Sequence, residues 1–212
     1  MQINSNLSVY QIQANQKVSN NTKVVEETTQ KDYSKMSLGN LKEIPYDEAK
    51  NNLEAIQSRL NEIIDNNGSS NETLSLQMSL AYVDDNNKLG GFNNNIMNKT
   101  MFETMNNLDT DTAFNLEFNI SQNLTDYYHG EPNRASFQMY SQDRLSSPHD
   151  GLTSSEMNSI NMDAFFNEML SYFTEQSGKT KGIVSEQYQQ IADGYKIFAQ
   201  NYQNNKSEPI YA

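Results

Sequence analysis

His129 and His149 are the only imidazoles in the chain and cysteine is absent, so a histidine relay would have to use one of these two side chains and a cysteine nucleophile is excluded. Neither histidine has the i, i+4 partner or the Glu-containing context of a helical metal site. His129 lies in the run Tyr127-Tyr128-His129-Gly130-Glu131. Aromatic, titratable and turn residues together suit a predicted hairpin tip, where loops display binding groups, and make Tyr127, Tyr128, His129 and Glu131 the candidate binding loop. The competing reading is a plain exposed loop with an aromatic anchor.

Acidic loops invite a calcium test against the twelve-residue EF-hand pattern, with Gly at position 6 and Glu at position 12. With Gly90 at position 6 the loop starts at Asp85 and Ile96 falls at position 12, where no ligand is possible. With Gly151 at position 6, position 12 is Met157 and Glu156 falls one residue short; Asp109-Thr110-Asp111 lacks the glycine. No Gly-x-Ser-x-Gly, phosphate-cradling loop or dinucleotide fingerprint occurs either. The residues thus point to a non-catalytic chain with no cofactor and no metal.

A net charge of -12 and a pI near 4.5 disfavour nucleic acid and anionic lipid, which reward clustered Lys and Arg. The nearest approach to such a cluster is Lys179-Thr180-Lys181. Partners are therefore expected to be a protein or a second copy of the chain. No stretch approaches the ~20 apolar residues of a membrane span. The first residues lack the basic and apolar regions of a secretory leader, so the expected location is the cytoplasm, or outside the cell by a route without a cleaved signal.

Only 35% of residues are hydrophobic and mean hydropathy is -0.81, so the apolar side chains must be gathered on particular faces for the chain to fold. Residues 1–35 show no such gathering and read as a disordered polar tail. After Pro45, the residues Tyr46, Ala49, Leu53, Ile56, Leu60 and Ile63 recur at spacings of three and four and predict one helix to about Asn66. Residues 72–83 fit both periods; scarcity of β-branched residues favours helix. Met97, Met101, Thr104, Met105 and Leu108 predict another over about 94–108.

Phe114, Leu116, Phe118 and Ile120 then alternate with polar residues, as do Ala135, Phe137 and Met139. Joined through Gly130-Glu131-Pro132-Asn133, the two runs predict an antiparallel β-hairpin with its apolar face on the helices. Thr153-Ser154-Ser155-Glu156 has the spacing of a capping box, opening a helix to about Gly178 with a break at Asn161. Val184, Tyr188, Ile191, Tyr195, Phe198 and Tyr202 predict a last helix over about 182–204 in which Gly194 admits a close neighbour. The expected fold is α+β: about five helices and one β-hairpin in a single domain over 36–212.

The opening Ile3-Asn4-Ser5-Asn6-Leu7 resembles the Ile-Asn-Thr-Asn opening of bacterial flagellins, over fewer than ten residues. The heptad-bearing helix and the Ser-Gly-Leu-Arg-Ile-Asn segment of flagellins are missing. The resemblance implies a leaderless exported or flagellum-associated protein, and the Asn and Lys bias resembles that of AT-rich bacterial genomes. The expectation drawn from the residues themselves is a bacterial protein-interaction domain, with the hairpin's unpaired edges as its motivation; an enzyme of unrecognised type is the third reading.

Overall fold

Pro45 sits at φ -63° and ψ 153°, an extended N-cap position that suits its fixed ring, and the first long helical stretch begins at the next residue. The structure, a computed structural model, describes residues 31–84, 92–130 and 152–207. By its contacts the chain divides into Met1–Lys31 and Asp32–Ala212, and every helix described lies in the second unit. Residues 1–30 of the expected disordered tail lie outside the described residues. Tyr33, in a short 3-10 turn, is buried, and its hydroxyl donates to Glu48 Oε1 at 3.0 Å.

The described elements in chain order are α1 (Leu38–Lys42), α2 (Tyr46–Asn51), α3 (Leu53–Asn67), α4 (Asn71–Leu80), α5 (Asn95–Asn106), α6 (Thr110–Tyr128), α7 (Ser154–Ser159), α8 (Met162–Lys179) and α9 (Ile183–Ser207). Among the described residues there is no strand, so the architecture is α-helical and the α+β expectation is overturned. Phe114–Ile120, expected as a strand, forms the middle of α6. A seven-residue window satisfied two periods at once, and the longer window decides. Ala113, Leu116, Ile120 and Leu124, spaced three, four and four, are all buried, whereas Phe114 stays 41% exposed. Asp109 sets the start of that register by accepting the Thr112 backbone N–H at 3.0 Å, so the segment enters the domain as a capped helix. No β-hairpin forms on this segment; the expected second strand, 135–140, lies outside the described residues.

The helix expected over 46–66 is broken at Asn52, whose side-chain amide donates to the Glu48 carbonyl at 2.9 Å and competes with the regular ladder. Residues 72–83 are helical up to Leu80, with Leu76, Leu80 and Val83 buried and Leu74 turned out. Two buried serines tie α4 to the end of α5: Ser75 donates to the Met105 carbonyl at 3.1 Å and Ser79 to Asn106 Oδ1 at 2.9 Å. Thr153 and Glu156 form the expected capping box, and the break at Asn161 is present, with its side chain accepting from the Ala164 N–H at 3.1 Å.

Helix α9 packs on α8, α5 and α6, and so draws three apolar faces into one core. Ile191, Ala192, Tyr195 and Phe198 supply the contact, each 3% exposed or less. Tyr195 stacks on Phe173 at 5.4 Å, while Phe165 meets Tyr127, Phe166 and Tyr195 edge-on or tilted. Gly194 faces Leu116: a Cβ there would lie 3.0 Å from Leu116 Cδ2, so the close approach of α6 and α9 depends on a missing side chain.

Candidate functional site

On α4, core positions 76 and 80 leave Leu74 and Met78 to the flank, one turn apart. On α6 the same geometry sends Thr110, Phe114 and Glu117 to one side, and on α9 it aligns Gln187 and Gln190. These side chains, with Asp109, Asp111 and Asn115, line a groove of about 670 Å³. Leu74 and Phe114, each 41% exposed, are its apolar walls. Ile183 and Val184, 73% and 44% exposed, lie one turn ahead of Gln187 on α9. Four of the five large apolar side chains exposed among the described residues thus sit in this groove or within a turn of its lining, a clustering that scattered surface residues do not show.

The groove is acidic. Asp109, Asp111 and Glu117 line it, and its lining among the described residues carries no Lys or Arg. Burial pushes the Glu117 carboxyl above the usual range, opposed by the Tyr82 hydroxyl, which donates to Glu117 Oε1 at 2.6 Å. Tyr82 is itself buried, its ring stacked on Phe92, and its own ionisation is driven well upward by that burial and by the Glu117 charge. Asp109 is held below the carboxylate range by the Thr112 hydroxyl, at 2.7 Å, and by the Thr112 N–H. Among the described residues no three His, Asp or Glu side chains converge for a metal ion.

The Glu117 shift fixes a pH dependence. A carboxyl whose folded pKa exceeds its unfolded value contributes stability below the unfolded value, near 4.5, and loses it as pH rises through the folded value. Glu117→Gln cannot ionise, so its stability relative to the wild type should grow as pH rises above about 4.5 and level off once the folded wild-type carboxyl has ionised. Urea unfolding across that rise in pH measures it, and a constant difference would contradict the burial of this carboxyl.

The expected binding loop is not assembled as a hairpin tip. Tyr127 is half-buried and its ring packs on Phe165 at 5.4 Å, so it serves the core. Tyr128 is 38% exposed, with its ring edge-on to that of His129, which caps the C-terminus of α6. Glu131 and His149 lie outside the described residues. The sequence signal for the groove is weak: Leu74 and Phe114 are among the apolar residues, with Met78 and Phe118, that fall off the buried helical stripes of α4 and α6.

A second polar feature is enclosed. Asn119, Asn123 and Asp126 are buried on one stripe of α6, where Asn123 Nδ2 donates to the Tyr195 hydroxyl at 3.0 Å and Gln122 to Asp126 Oδ1 at 2.8 Å. Asn123 Oδ1 and Asp126 Oδ2 find no hydrogen-bond partner among the described residues. Burial of this kind costs free energy, about 1–3 kcal/mol per group, and the pairing with Tyr195 fixes how α6 seats on α9.

No described helix is long and apolar enough to cross a membrane. No protein family, curated protein or solved structure matches the chain.

Proposed function

We propose that this chain is a non-catalytic interaction domain that holds a segment of a protein partner in the groove between α4, α6 and α9. The observation that carries the reading is the pair Leu74 and Phe114, both lining one groove and both left 41% exposed in a chain where apolar side chains are scarce. Apolar surface of this kind is stabilised when a partner removes it from water, by about 25 cal/mol per Å². The exposed hairpin edge expected from the sequence does not occur in α6, and the groove is the surface offered in its place.

Changing Phe114 to Asp puts a charge where a partner's apolar side chain would seat, and should weaken capture of that partner at least ~10-fold. Phe114 is off the core, so helical circular dichroism and the thermal midpoint should stay close to the wild type. Comparing what wild-type and Phe114→Asp protein retain from the native cell, at matched load, checks this. Equal recovery of every retained protein would sink the reading.

A further inference from the structure

We infer that the occupant of the groove is a cationic amphipathic helix of a partner protein, its apolar side chains between Leu74 and Phe114 and its Lys or Arg side chains toward Asp111 and Glu117. The inference rests on the interaction reading above and adds the chemistry of the partner.

Charge complementarity carries it. Three carboxylates line the groove and no Lys or Arg of the described residues lines it with them, in a chain of net charge -12. Opposed surface potentials steer encounter and reject wrong partners, whereas a second copy of this chain would bring like charge to the same place. The carboxylates are not equivalent. Asp109 already accepts from Thr112 N–H and hydroxyl and is committed to its helix. Glu117 is partly withdrawn from water and carries one hydrogen bond, from Tyr82, which leaves its second oxygen to receive a donor. A guanidinium or ammonium group arriving there forms a charge-assisted bond in a weakly screened position. The shape selects a helix: among the described residues there is no sheet edge to extend, and the walls are three helices, the setting in which amphipathic helices dock by i, i+4 anchors.

Three labelled peptides of one length, sharing an apolar Leu/Phe face and differing only in a Lys, Gln or Glu polar face, test the proposal by fluorescence anisotropy against the full chain. A scrambled Lys peptide with no apolar face controls for the chain's overall charge. The Lys peptide should bind about 10-fold tighter than the Gln peptide, more tightly still than the Glu peptide, and more tightly than its scrambled form. Its affinity should fall about 10-fold in Phe114→Ser and in the Asp111→Asn/Glu117→Gln double variant, and stay unchanged in Glu54→Gln/Glu62→Gln on the exposed face of α3. Equal affinity of the Gln and Lys peptides, with loss in Phe114→Ser, would leave the interaction reading standing and overturn the charge selection. Failure of every peptide to respond to Phe114→Ser would overturn both. A concentration-dependent dimer in light scattering, dissolved by Phe114→Ser, would name a second copy as the occupant and likewise overturn the inference.

Discussion

Phe165→Ala should lower the free energy of unfolding by about 3–5 kcal/mol, the range for removing a large aromatic from a packed core. The ring is fully buried on α8 and meets Tyr127 of α6 at 5.4 Å, Phe166 of its own helix at 5.6 Å and Tyr195 of α9 at 6.1 Å. Three helices therefore lose a shared contact together, and the surrounding rings are too constrained by their own neighbours to refill the space. Since a domain of this size is stable by only about 5–15 kcal/mol, the variant should approach its unfolding midpoint at much lower urea. Phe114→Ala, which removes an equal ring from the groove wall, should cost well under 1 kcal/mol. Urea titration of both at one pH makes the comparison, and similar costs would mean that the core has been wrongly located.

Gly194→Val should cost about 1–3 kcal/mol even though glycine is a poor helix former, because the new side chain enters occupied space. Its Cβ alone would sit 3.0 and 3.1 Å from the two methyl carbons of Leu116, which is itself fully buried. Relief must come from Leu116, since the helix backbones on either side are fixed by their ladders. Leu116→Ala opens that space at its own cavity cost, and the double variant should be more stable than the sum of the two single losses predicts. Additive losses would indicate that α6 and α9 do not approach at these residues.

The same pair shows what was legible in the sequence. Gly194, in the middle of a long apolar stripe, announced a close neighbour, yet the neighbour itself was hidden in a segment expected to be a strand. The stripe of α9 was legible because spacing of three and four persists over five turns, and the capping box and the break at Asn161 were legible because they are local chemistry. Phe114–Ile120 was not, because over seven residues Leu116 and Ile120 belong to both a two-residue and a helical period. Only tertiary burial separates them from Phe114. Asn52 was missed for the opposite reason: its competition with the ladder is local, but Asn is common enough here to carry no signal by itself. The groove leaves only the weak trace of Leu74 and Phe114 off their stripes, because three helices distant in sequence contribute to it, and Val184, which reads as core by spacing, is 44% exposed.

The position of α9 has a bearing on how this chain is made. Its side chains are the common partner for α5, α6 and α8, with Asn205 reaching Thr100 across 105 residues. A ribosome delivers the chain in order at about 5–20 residues per second, so the greasy flanks of the earlier helices wait uncovered for seconds until the last 25-residue helix emerges. Nascent chains stalled before residue 183 should therefore bind holdase chaperones and be cut readily by protease, and chains released with residues 183–207 present should be compact and resistant.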